Sequence, residues 1–165
     1  MNFTTARLCD CHASSGHVQI AEPVFSNYGA TTAFSGQIQT LKLFEDHGLI
    51  AQTLAEAGCG RVLVIDGGGS HRCALLGWQL VQQAVAQGWE GLIVYGCVRD
   101  SVRLKSLPIA LLALQSHPLY SVNKGDGERG VPVTFANIQF RAGHYLYADT
   151  DGLLVSEAEL SNATE

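Results

Sequence analysis

Positive charge is scarce in this chain. Ten Lys and Arg stand against fifteen Asp and Glu in 165 residues, a formal net charge of −5. A surface that holds nucleic-acid phosphates concentrates its basic side chains. Here Arg61, Arg72, Arg99, Arg103 and Lys105 form no continuous run. Direct nucleic-acid binding is therefore not expected, whereas an acidic surface still suits a basic protein partner. Long apolar runs are missing too. No stretch approaches the roughly 20 apolar residues of a membrane span, and Met1-Asn2-Phe3-Thr4-Thr5-Ala6-Arg7 lacks the apolar core of a signal peptide. The five cysteines are an odd number without a disulfide-type framework, which suits a reducing compartment. The expected location is the cytoplasm.

Several motifs are also absent. The six histidines show no H-x-x-x-H spacing, and Cys9 and Cys11 beside His12 have no second pair to complete a zinc set. The glycine loop Asp66-Gly67-Gly68-Gly69-Ser70 is neither a P-loop, since no Gly-Lys-Ser/Thr follows, nor a G-x-G-x-x-G fingerprint.

What is present is globular: 47% of residues are apolar and 15% charged. The length suits one domain over residues 1–165. The 18 glycines punctuate apolar runs rather than forming a low-complexity tract. Residues 4–12 read as a short helix capped by Thr4 or Thr5, residues 18–25 as an edge segment or extended loop, and residues 36–44 as a strand. Asp46 is expected to cap a helix running to Ala57, with Gly58 as its stop. Residues 61–65 and 92–98 are continuous aliphatic runs, as in strands buried on both faces. With a glycine loop and a helix over 77–87 between them, they predict a parallel βαβ unit. A short helix over 101–106 and an apolar run over 109–114 follow. Residues 122–130 read as one mobile loop. The tail, over 131–135, 138–141 and 146–156, predicts antiparallel hairpins. The class is α/β.

Three places could carry chemistry. Asp66-Gly67-Gly68-Gly69-Ser70 is either an anion-holding turn or a tight strand exit. Arg99-Asp100 follows a buried parallel strand, where open α/β sheets place their ligands. A guanidinium there can bind a carboxylate or polarise a carbonyl, and the adjacent carboxylate can hold a hard cation; the alternative is a surface ion pair. The helix start at Gly77, Trp78, Gln79 and Leu80 either receives a substrate carboxylate on its free amides or is an ordinary buried helix start.

Six segments together carry a resemblance: LCD at 8–10, EPVFSNYG at 22–29, FEDHGL at 44–49, GRVLVIDGGGS at 60–70, GWEGLIVYGCVRD at 88–100 and YADTDG at 147–152. Over roughly residues 8–157 the chain resembles the RraA-like family, the regulators of ribonuclease E activity and their metal-dependent aldolase relatives. The resemblance implies a single swivelling β/β/α domain, a central mixed sheet flanked by helices, assembled as a ring-shaped homotrimer with clefts between subunits. It implies two alternative activities. One is a class II aldolase that cleaves 4-hydroxy-4-methyl-2-oxoglutarate to pyruvate and decarboxylates oxaloacetate, with a small 2-oxo acid as substrate. The other is a non-catalytic inhibitor of ribonuclease E. A methyltransferase would need a cofactor-binding glycine loop and a downstream acid that the chain does not display.

For the aldolase, the resemblance implies that Asp100 binds Mg²⁺ or Mn²⁺, largely through water. Arg99 would then serve catalysis by holding the substrate oxyanion, and the amides of Gly77, Trp78, Gln79 and Leu80 would bind the carboxylate. Two positions depart from the family pattern. Trp78 stands where Asp, Glu or Asn is expected, and Cys73 where related regulators often carry a second Arg. Ending soon after its last apolar run, the sequence is also expected to lack the C-terminal extension of longer aldolases and any acidic ligand there.

Overall fold

The computed structural model describes residues 2–161. The first half comprises α1 (Thr5–His12), β1 (Val18–Ile20), β2 (Ser26–Asn27), β3 (Phe34–Lys42), α2 (Gly48–Leu54), β4 (Val62–Asp66), β5 (Ala74–Leu76) and α3 (Trp78–Ala86). Then come β6 (Gly91–Val98), α4 (Ser101–Leu104), β7 (Ala110–Ser116), β8 (Glu128–Arg129), β9 (Val133–Phe135), β10 (Ile138–Phe140), β11 (Tyr145–Ala148) and β12 (Leu153–Ser156). The main sheet runs β1-β12-β11-β3-β4-β6-β7-β2, with β5 on β6 and β8 on β3, while β9 and β10 form a separate hairpin.

Strand β3 joins two kinds of sheet. Its first residues, Phe34 to Gln37, pair antiparallel with β11, and its last, Ile38 to Lys42, pair parallel with β4. Strands β4, β6 and β7 continue the parallel half. Both of its faces are covered, which explains the unbroken aliphatic runs. Successive side chains of a strand point to opposite faces. Leu63 and Ile65 of β4 and Leu92 and Val94 of β6 thus pack with Ile50 of α2, Val81 of α3 and Leu104 of α4. Val62, Val64 and Ile93 face the other way, against Phe135 and Phe140 of the β9–β10 hairpin. The layers are hairpin, sheet and helices, a mixed α/β architecture.

The βαβ unit, the helix after Thr4 and the tail hairpins lie where the sequence predicts them. Two expectations are corrected. Helix α2 ends at Leu54, short of Ala57, and its N-cap residue is His47 rather than Asp46. Residues 122–130 are tied down rather than free. Asp46 Oδ1 accepts the N–H groups of Gly48, Lys124 and Gly125, and Oδ2 accepts that of Asp126, all at 2.9–3.1 Å. Beyond them, β8 adds to the edge of β3. A local reading sees the glycines and charges of this loop but not the buried carboxylate that organises it.

Candidate active site

Strand β6 delivers Arg99 and Asp100 to the carboxyl end of the parallel sheet. The Arg99 N–H donates to the Leu76 carbonyl at 2.8 Å, so the ends of β5 and β6 are held together just before α3 begins. Asp100 then takes a left-handed conformation, φ 62° and ψ 35°, an uncommon backbone state outside glycine that clusters at functional sites. Its Oδ2 accepts the Trp78 N–H at 2.9 Å. The carboxylate therefore rests on the positive end of α3, where a helix dipole favours a negative charge. Gly77 makes this approach possible, because a Cβ there would stand 2.8 Å from Asp100 Oδ2 and 3.1 Å from Arg99 Cγ.

Arg99 is the middle of a site built from distant segments. Its guanidinium carbon lies 4.0 Å from the Tyr120 ring centroid, and the far face of that ring stacks on His47 at 3.9 Å, with the planes 4° apart. The His47 Nδ1 lies 2.9 Å from Ser121 Oγ. Burial, reinforced by the Arg99 charge, pushes the His47 pKa down despite the opposing pull of Asp46 and Ser121. A neutral imidazole thus backs the ring that carries Arg99. The Arg99 Nε is buried and has no hydrogen-bond partner. Buried donors are almost always satisfied, so an open one beside a cavity calls for an acceptor oxygen.

That cavity has a volume of about 370 Å³ and is lined by Gly77, Trp78, Gln79, Gln82, Arg99, Asp100, Arg103 and Tyr120. Five of the six residues singled out from the sequence line it together. Leu80 is not among the lining residues, and its side chain is buried in the helix-side core. Sequence reasoning missed Arg103, Tyr120 and Gln82. Arg103 was legible only as one turn beyond Arg99 on a short helix, and its guanidinium lies 4.2 Å from the Trp78 ring centroid. Tyr120 comes from the loop after β7, with no local signal linking it to Arg99. Of the lining residues, Asp100 is the one carboxylate that could hold a metal ion.

Two other places lack this chemistry. In the glycine loop, the Gly67 and Gly69 N–H groups donate to the Tyr95 carbonyl and the Gly68 N–H to Asp66 Oδ1, so the loop is a tight strand exit. A larger cavity of about 460 Å³ between residues 20–25 and the β11–β12 turn is lined by Glu22, Asp149 and Asp151 without a basic side chain. There, Asp149 is already bound by the Thr5 N–H and hydroxyl.

The family model for RraA-like proteins, described as Aldolase/RraA, matches residues 5–155. The chain belongs to the RraA-like family. This RraA-like protein is 56% identical over 160 residues to a protein of Methylococcus capsulatus provisionally named 4-hydroxy-4-methyl-2-oxoglutarate aldolase, covering 97% of this chain and 99% of that one. An Arabidopsis thaliana protein with the same provisional name is 49% identical over 161 residues, covering 96% and 97%. Among solved structures, the RNA-processing inhibitor RraA from Thermus thermophilis matches with a TM-score of 0.94 at 39% identity, covering 100% of this chain and 99% of that one. A Geobacillus kaustophilus structure named S-adenosylmethionine:2-dimethylmenaquinone methyltransferase matches with a TM-score of 0.93 at 39% identity, covering 99% and 100%.

Proposed function

We propose that this RraA-like protein is a lyase that cleaves 4-hydroxy-4-methyl-2-oxoglutarate to pyruvate and decarboxylates oxaloacetate. The observation that carries it is the unpartnered, buried Arg99 Nε beside Asp100 at the end of β6. The names of the relatives support the aldol cleavage. Both reactions break the bond at C3 of a 2-oxo acid and leave the enolate of pyruvate. In the first, a base takes the proton of the C4 hydroxyl, the C3–C4 bond breaks, and one pyruvate departs as the ketone. In the second, the same bond breaks with loss of CO₂. In each case the electron pair moves onto the C2 oxygen, and a proton from water restores C3. Arg99 stabilises that oxyanion as its charge develops, the role in which fixed donors contribute most. In the aldol cleavage Asp100 takes the hydroxyl proton on Oδ1, the oxygen not bound to Trp78.

The resemblance implies Mg²⁺ or Mn²⁺ at Asp100, but the donors present do not fit a resident divalent ion. This lining offers one carboxylate, with Oδ2 already engaged, and the amide oxygens of Gln79 and Gln82, so water and substrate would have to complete the shell of such an ion. Residue 78 supplies an indole, and two guanidiniums, Arg99 and Arg103, share the cavity and repel a cation. Among the described residues, no group of three or more His, Cys, Asp and Glu side chains is gathered to hold a metal.

Pyruvate release from each substrate, coupled to NADH oxidation by lactate dehydrogenase, tests the proposal. Arg99→Ala and Asp100→Asn should each lower kcat/KM on the order of 100-fold. Absence of pyruvate from both substrates overturns it. The proposed compartment is the cytoplasm and the proposed assembly a homotrimer; no described helix is long and apolar enough to cross a membrane.

A second reading, a regulator that binds ribonuclease E, is favoured by Trp78 in the acid's position and by the name of the Thermus relative. Capture of ribonuclease E and inhibition of its RNA cleavage by the protein would support it, and absence of both would remove it. The methyltransferase name is not carried over, because the glycine loop turns its amides inward.

A further inference from the structure

We propose that Arg103, seated over the Trp78 ring, takes the place of the divalent cation in this cavity, so that a doubly negative 2-oxo acid or its enolate binds with no resident metal. The proposal rests on the lyase reading for the identity of the ligand. Its physical basis is the charge and geometry of the lining. Two guanidiniums face one carboxylate there, leaving the cavity positive, and the carboxylate is held on the N-terminus of α3 by the Trp78 N–H. The donor with no partner, Arg99 Nε, asks for an acceptor oxygen and would meet only repulsion from a cation.

Trp78 explains how an exposed arginine on a four-residue helix stays over the site. Its ring is half-buried against the helix-side core and offers its face to the Arg103 guanidinium at 4.2 Å, an attraction strongest for an indole. An acidic residue at position 78 would have drawn in a cation; the indole holds a fixed organic one. Arg99 is steadied in the same way on Tyr120, at 4.0 Å. Each guanidinium thus lies on an aromatic face, with its N–H edges left to meet planar carboxylate or enolate oxygens. Gln79 and Gln82 add uncharged donors to the same wall.

Titration calorimetry with oxalate, a planar dianion shaped like the pyruvate enolate, tests this on the full chain. The protein is stripped of metal, and binding is measured with and without added Mg²⁺ or Mn²⁺. The expected dissociation constants agree within about twofold, because the arginines alone hold the anion. Arg103→Ala should weaken binding at least tenfold, and so should Trp78→Ala, whereas Trp78→Phe, which keeps a ring, should retain most of it. Trp78→Asp should make oxalate binding depend on Mg²⁺. Arg103 is exposed, so its variant should fold, which circular dichroism checks. Binding only after metal is added overturns the proposal and leaves the lyase reading standing. So does an Arg103→Ala variant that binds as tightly as the parent. Failure to bind oxalate under any condition also overturns it. Metal-free binding without pyruvate release from either substrate removes the lyase reading alone.

Discussion

Asp46 shows how much one buried side chain can organise. It is 3% exposed. Burial pushes its pKa up, but the backbone N–H groups of Gly48, Gly125, Asp126 and Lys124 outweigh that and bring it from 3.8 to about 2. A carboxyl depressed in the folded state contributes stability above its unfolded pKa. That contribution is lost as pH falls from about 4 towards 2, and it amounts to about 2 kcal/mol at neutral pH. His47 acts in the same direction. Its lowered pKa means that the unfolded chain takes up the proton more readily as pH drops below the ordinary 6.5. Asp46→Asn should therefore lose about 2 kcal/mol at pH 7 and show a flatter stability profile between pH 5 and pH 3. Urea unfolding across that range checks it; an unchanged midpoint at pH 7 would contradict the role given to the carboxylate. The sequence marks Asp46 as a helix-capping residue, and it does bind Gly48. Its three other amides come from residues 124–126, which no local pattern connects to it.

At the scale of elements, β3 is the hinge between the two kinds of sheet. Gly36 sits where β3 crosses the turn before β4: a Cβ there would lie 2.5 Å from the Gly60 carbonyl oxygen and 3.2 Å from Val62 Cγ2. The first of these neighbours is backbone and cannot swing aside. Gly36→Ala should thus destabilise the fold by about 1–3 kcal/mol, the usual cost of overpacking, with a thermal melt as the measurement; unchanged stability would mean that the two strands separate more easily than their pairing suggests. Strands β4 and β6 were legible because each is a continuous aliphatic run that only a sheet covered on both faces accommodates. Strands β5 and β8 were not. At three and two residues they carry no periodicity of their own and exist because β6 and β3 present edges to pair with.

For the whole molecule, the proposed trimer should appear in light scattering as a particle of three chains, and a monomer at micromolar concentration would count against it. Large apolar side chains are exposed on the single chain, among them Phe44, Leu119 and Val102 at 57%, 62% and 83%. The sequence by itself determined the α/β class, the parallel unit and the delivery of Arg99 and Asp100 to a strand end. Those features follow from hydrophobic runs and turn residues that act over a few positions along the chain. Only the tertiary structure decided what surrounds that pair. Tyr120 and His47 stack beneath Arg99, Trp78 gives its amide to Asp100 and its ring to Arg103, and Leu80 turns away into the core. These contacts join residues up to 73 positions apart, and the packing of α3, α4 and the loop after β7 sets their geometry. Spacing along the chain carries no record of which faces that packing brings together.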